Sequence, residues 1–217
     1  MKTLIAAASA AALLAPLTAF AGVVDWTAWN ANTSATGTTS QNGNPVTVTY
    51  DGDFLGIDFD ANYFSNLASF TSSEVSNTVG SKGSIRMDGG TVLNHIHFST
   101  PVTNPYLAVY SVGQPNVPVR FIFQAPATLT LLSQGGGNWG GGTISLDNTF
   151  SFTGLEGNGT MRINGTFSDL YFTTPDPEYY YGFTVGLANT VSEPASMALM
   201  LGGLSLVTAA MRRRRKH

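Results

Sequence analysis

The chain has 217 residues, 43% of them apolar, no cysteine, and a formal net charge of −3. That length and apolar content suit one domain with its own core, and the missing cysteines exclude a disulfide-stapled scaffold. From Gly22 to Thr190 twelve acids face only four bases (Lys82, Arg86, Arg120 and Arg162), which excludes a nucleic-acid partner held by cations on phosphates.

Met1 to Ala21 has the plan of a secretory signal peptide. Lys2 opens it, an apolar stretch runs from Leu4 to Leu17, and Ala19-Phe20-Ala21 forms an A-x-A cleavage site. Residues 22–190 then form the exported domain. Thr33 to Asn44, rich in Ser, Thr, Gly and Asn, reads as a loop. Val46, Val48 and Tyr50 alternate with Thr47 and Thr49, the pattern of a strand with one apolar face.

Asp51, Asp53, Asp58, Asp60 and Asn62 make the densest acidic stretch. Oxygen ligands at alternate positions, as in Asp58-x-Asp60-x-Asn62, are what calcium takes in a loop, where it would act as a structural clamp. Tyr63 and Ser69 stand where a helix-loop-helix calcium site has its glycine and glutamate. If Ile57 and Phe59 instead lie on a strand, these aspartates are its wet face. Ala61 to Glu74 is the place for a short helix or an irregular loop.

His95 and His97, in L-N-H-I-H-F, share one face of a strand whose other face carries Ile96 and Phe98. Imidazoles at that spacing hold zinc or copper once further ligands join them. The nearest carboxylate in sequence is Asp88, across a Gly-Gly turn, and two surface histidines are the plainer reading.

Val117, Val119, Phe121 and Phe123 alternate around Arg120. Met161, Ile163 and Phe167, then Tyr179, Tyr181, Phe183, Val185 and Leu187, repeat the period of two. Turn signals separate these runs at Asn42-Gly43, Asp51-Gly52, Asp88-Gly89-Gly90, Asn158-Gly159 and Asn164-Gly165. No stretch of the exported domain sustains a helical period. The expected fold is therefore all-β, an antiparallel β-sandwich of jelly-roll type.

Two features offer sugar chemistry. Gly135-Gly136-Gly137-Asn138-Trp139-Gly140-Gly141-Gly142 leaves Trp139 on a mobile backbone with few neighbours. An exposed indole stacks on a sugar ring while Asn138 bonds its hydroxyls, and the competing reading is a flexible hairpin that folds Trp139 back onto the sandwich edge. Glu156, Glu178, Asp147 and Asp169 could supply the carboxylate pair of a glycan hydrolase. The chain has no G-x-S-x-G, no His-Glu-x-x-His and no cysteine nucleophile.

Val191 to His217 joins Ser192-Glu193-Pro194, an uncharged apolar run from Ala195 to Met211, and Arg212-Arg213-Arg214-Arg215-Lys216. The run reaches the lower limit for a helix crossing a hydrocarbon core of roughly 30 Å, and the cations fix its orientation. These parts, in this order, resemble the PEP-CTERM sorting signal of Gram-negative bacteria, with Ser192 where the family usually has proline. The resemblance implies an exosortase-type membrane protease as partner, processing near Glu193-Pro194, and delivery to the cell surface or exopolysaccharide matrix. Val24-Asp25-Trp26-Thr27, Leu132 to Thr143 and Gly154 to Gly186 are similar to a recurring ectodomain type of that family. A non-catalytic surface or matrix protein without cofactor is the leading expectation. A carbohydrate-binding module and a glycan hydrolase follow it.

Overall fold

The computed structural model describes residues 22–31 and 34–189. The segments expected as signal peptide, sorting motif, membrane helix and arginine tail lie outside the described residues. Among the described residues no helix is long and apolar enough to cross a membrane.

In chain order the strands are β1 (Val24–Trp26), β2 (Ala28–Trp29), β3 (Thr36–Gln41), β4 (Asn44–Asp51), β5 (Gly56–Asp58), β6 (Ser84–Met87), β7 (Gly90–Thr103) and β8 (Tyr106–Val112). They continue as β9 (Val119–Phe123), β10 (Thr128–Gly137), β11 (Gly140–Gly141), β12 (Thr143–Leu146), β13 (Ser151–Leu155), β14 (Gly157–Asn164), β15 (Thr166–Thr174) and β16 (Tyr181–Ala188). A single-turn 3-10 helix (Ala61–Phe64) and a short helix α1 (Leu67–Phe70) fall inside the segment expected to be helical or irregular. The described residues are all-β, as their alternation predicts.

Two antiparallel sheets face each other. The first runs β11-β10-β14-β8-β16-β6-β5, with β1 continuing beside β16 beyond β6; the second runs β12-β13-β9-β15-β7-β4-β3-β2. Alternation explains the core between them. Leu107, Val109, Phe183 and Val185 point inward from the first sheet, and Val48, Ile96, Phe98, Phe121 and Phe172 from the second. Rings meet across the gap: Tyr50 on Phe183 at 5.3 Å, Phe172 on Phe183 at 5.5 Å, Phe121 on Tyr181 at 5.8 Å. Each such ring fully withdrawn from water contributes about 1.5–3 kcal/mol.

A second cluster lies on the outer face of the first sheet. Phe64, Phe70, Val75 and Val79, from the segment between β5 and β6, cover Trp26, Tyr106, Ala108 and Tyr110. The sheet is thereby buried on both faces at β8, where every residue from Tyr106 to Val112 is buried. A doubly buried strand has no polar face, so Y-L-A-V-Y-S-V shows no alternation in sequence.

Four local expectations are corrected. Thr36–Gln41 is a strand rather than a loop, because it pairs with β2 on one side and β4 on the other. Asn158-Gly159 is no turn: it sits inside β14 at a register shift against β8, and Asn158 is fully buried. Gly135 to Gly137 end β10 and Gly140-Gly141 form β11, so the stretch is a paired hairpin instead of an open loop. Tyr179 does not join the inward row of β16; it precedes the strand and is 85% exposed. The turns at Asn42-Gly43 and Asn164-Gly165 stand as expected, with Asn42 and Gly43 both at positive φ (54° and 78°), the backbone a tight hairpin requires.

Candidate functional site

The site is built on the outer face of the first sheet, beside the helical cover. Tyr110 projects outward from β8, and its ring lies over Gly182, its register partner on β16. A Cβ at Gly182 would meet the Tyr110 hydroxyl and the Ile85 carbonyl, so only glycine leaves room for that ring. Tyr63, from the 3-10 helix, stacks on Tyr110 with centroids 4.8 Å apart and planes at 27°. Trp139 packs against Tyr63 at 4.7 Å, lies 6.0 Å from Tyr110, and meets Tyr180 edge-on at 5.1 Å. These offset and edge-on arrangements are the ones ring quadrupoles favour.

The hydroxyls of this floor converge on one carboxylate. Tyr180 and Tyr110 both donate to Asp58 Oδ2, at 2.7 and 2.9 Å, and the Tyr63 hydroxyl pairs with that of Tyr180 at 3.0 Å. Arg86 reaches Asp58 Oδ1 at 3.8 Å and lies 5.4 Å from the Tyr180 ring centroid. Burial pushes the Tyr110 phenol far above its ordinary value, and the Asp58 charge adds to it. Burial also pushes up Tyr180, helped by its bonds with Tyr63 and Asp58. Tyr110 and Tyr180 therefore stay protonated donors near neutral pH.

Trp139 is 47% exposed at the tip of the β10–β11 hairpin, whose two-residue turn is Asn138-Trp139. Beside it opens a cleft of about 340 Å³, lined by Ser111, Gln114, Glu156, Glu178, Tyr179 and Tyr180 as well as the indole. A second hollow of about 720 Å³ shares Glu178, Tyr179 and Tyr180 and adds Arg86 and Asp88. Glu178, Tyr179 and Tyr180 thus border both hollows, and the one beside Trp139 is the candidate groove.

Two acids face this groove. Glu178 is 8% exposed. Its Oε1 accepts from Gln114 Nε2 at 2.7 Å and from the Tyr180 amide at 3.1 Å, while Oε2 is buried and has no partner. Burial raises its carboxyl above the ordinary value, the Glu156 charge adds to this, and the Gln114 and Tyr180 bonds oppose it. Glu156 adopts φ of 60° and accepts from Ser111 Oγ at 2.7 Å; Ser111 itself has φ of 51°. Left-handed backbone at two non-glycine residues is held in place here by Asn158. Its Oδ1 accepts from the Ser111 amide at 3.0 Å, and its Nδ2 donates to the Glu156 carbonyl at 3.0 Å. Such strain concentrates at functional sites.

The other sequence candidates lie elsewhere. Asp147 accepts from Thr153 Oγ1 at 2.8 Å, so of the four acids only Glu156 and Glu178 share the groove. Asp58 belongs to the tyrosine network, Asp60 Oδ1 caps the 3-10 helix by accepting from the Asn62 amide at 2.9 Å, and Asn62 is exposed. Asn138 is exposed beside Trp139. The expectation of few neighbours for Trp139 is corrected, because the aromatic floor reaches it.

His95 and His97 point outward from β7 on the second sheet, with Ile96 and Phe98 buried beneath, as expected. Their third companion is Asp169, on neighbouring β15. His95 Nε2 and His97 Nδ1 contact the same Asp169 oxygen, Oδ1, at 2.8 and 2.9 Å. The bonds from His97 and His95 hold the Asp169 carboxyl below its ordinary value. Sequence reasoning linked these histidines to Asp88 by proximity along the chain and missed Asp169, 72 positions from His97. It also missed Tyr63, Tyr110 and Tyr180, since only the fold of segment 59–83 over the sheet unites them.

No protein-family model matches the chain, and neither a curated protein nor a solved structure matches it.

Proposed function

We propose that this is an exported, non-catalytic protein of the cell surface or exopolysaccharide matrix that binds polysaccharide along the Trp139 groove. The observation carrying the reading is the pairing of a propped, half-exposed indole with the polar cleft wall of Ser111, Gln114 and Glu156 beside it. A sugar ring offers an apolar face to the first and hydroxyl donors to the second. Strand order supports a jelly-roll sandwich, an architecture used by lectin domains. Along the chain β6, β7, β8, β9, β13, β14, β15 and β16 fall into the rows β6-β16-β8-β14 and β7-β15-β9-β13.

Delivery rests on the tail. Ser192-Glu193-Pro194 and Arg212 to Arg215 would be read by an exosortase-type protease, with the apolar run between them as a transient membrane helix. Fractionation with mass spectrometry tests this. The ectodomain should appear in the matrix without the peptide after Glu193-Pro194. Its retention in the inner membrane with Arg212 to His217 attached would overturn the sorting.

Binding is tested by affinity electrophoresis of the full chain in gels holding different polysaccharides. Trp139→Ala should cost about 2 kcal/mol, roughly thirtyfold in affinity. Unchanged retardation would reject the groove. One second reading has a specific observation behind it: Glu156 and Glu178 line the same cleft, and Glu178 has the raised pKa of a general acid. Release of reducing ends that disappears in Glu178→Gln would establish hydrolysis instead.

A further inference from the structure

We infer that His95, His97 and Asp169 form a binding site for a divalent transition-metal ion, with zinc as the fitting ion. The site lies on the outer face of the second sheet, apart from the Trp139 groove, and does not depend on its reading.

Three ligand atoms from two adjacent strands converge there. His95 Nε2, His97 Nδ1 and a carboxylate oxygen of Asp169 all lie within 4.8 Å of one another, the one such grouping among the described residues. The two ring nitrogens approach the same oxygen, at 2.8 and 2.9 Å. An ion with bonds of about 2.0–2.1 Å sets tetrahedral ligand atoms roughly 3.3 Å apart. Each of these contacts therefore needs to open by about half an ångström, while the two ring nitrogens draw together from within 4.8 Å, to admit it.

The framework is stiff enough to hold that geometry. His97 and Asp169 are register partners, as are His95 and Tyr171, so backbone pairing between β7 and β15 fixes their spacing. The His95 ring is stacked on Tyr171, with centroids 4.4 Å apart and planes at 11°. Beneath the site Ile96, Phe98 and Leu170 are buried, which keeps the strands from sliding.

The donor set selects the ion. Two imidazoles and one carboxylate suit zinc and its neighbours, while calcium and magnesium prefer oxygen cages. Without an ion, each ring donates N–H to the carboxylate. With zinc, each ring proton moves through solvent to the ring's other nitrogen, freeing Nε2 of His95 and Nδ1 of His97 as neutral ligands. Water completes the coordination. The three side chains remain partly exposed, so a fourth position faces solvent. Such a site would clip β7 to β15.

The test is isothermal titration of the full chain, carrying no polyhistidine tag, with zinc chloride, followed by cobalt(II) absorption. Stoichiometric zinc binding and a visible cobalt band are expected, with calcium giving no heat. His97→Gln and Asp169→Asn should each weaken zinc by at least about tenfold while leaving the metal-free melting curve within a few degrees. Absence of saturable zinc binding at micromolar concentrations would overturn the site. So would zinc binding that survives the His95→Gln/His97→Gln double substitution, because His217 or the surface acids would then hold the ion.

Discussion

The indole of Trp139 rests against the ring of Tyr63, centroid to centroid 4.7 Å, and this contact turns a glycine-flanked turn into a fixed platform. Tyr63 reaches it from a helical turn about 75 residues earlier in the chain, itself backed by Tyr110 of the sheet. Tyr63→Ala should therefore weaken polysaccharide binding without removing a sugar contact. The lost ring pairing is worth about 0.5–1.5 kcal/mol. Fluorescence separates the effect from unfolding. Trp26 and Trp29 are 1% and 4% exposed against 47% for Trp139, so acrylamide quenching reports mainly on Trp139. Polysaccharide should shield the wild-type chain from quencher and shield Tyr63→Ala less; equal shielding would show that the prop is irrelevant.

Glu178 predicts a pH dependence. Its folded-state pKa is raised above the ordinary 4.5, so the native state holds the proton more tightly than the unfolded chain. Its stabilising effect is complete at low pH and is lost as pH rises through the folded value. Glu178→Gln, which stays neutral, should raise Tm by roughly 2–4 °C at neutral pH, about 1 kcal/mol for a chain this size. The gain should vanish below pH 4.5. Thermal melts across that range check it; a gain that grows on acidification would reverse the sign.

Gly137 is a third point of control. A Cβ there would run into the side-chain amide of Asn158, the group that holds Ser111 and Glu156 in left-handed backbone. Overpacking of a tight contact costs about 1–3 kcal/mol. Gly137→Ala should lower urea stability by that amount and displace Glu156 from the groove, so polysaccharide affinity should fall with it. Full stability in the variant would show that the hairpin moves freely.

These residues also mark where the sequence was legible. Alternation at Val46–Tyr50 revealed a strand because one face meets the core and the other does not, whereas Tyr181–Leu187 is buried throughout and still alternates because its outer face carries Gly182, Thr184 and Gly186. It missed β8, whose seven residues are all buried, and misjudged 135–142, where glycine permits close strand contact rather than a loop. Local spacing put His95 and His97 on one outward face. Asp169 joined them only through the pairing of β15 with β7, a non-local register that no window of sequence contains. Glu156 and Glu178 were nameable as acids, but their convergence depends on the Asn158 bracket.

Asp58 offers the last prediction, because two uses compete for its carboxylate. In the fold Oδ2 accepts from both Tyr110 and Tyr180, and Asp60 is turned to the amide of Asn62. Calcium at Asp58, Asp60 and Asn62 would have to take Asp58 from those phenols. Charged hydrogen bonds are worth about 1.5–3 kcal/mol each, so Asp58→Ala should destabilise by roughly 3 kcal/mol and leave the Tyr110 hydroxyl buried without an acceptor. Asp58→Asn keeps an oxygen acceptor in place and should lose less. Melting curves with and without millimolar calcium separate the two uses. If the tyrosines own the carboxylate, calcium leaves the wild-type Tm unchanged. A calcium-dependent rise that disappears in Asp58→Asn and Asp60→Asn would return this stretch to the metal.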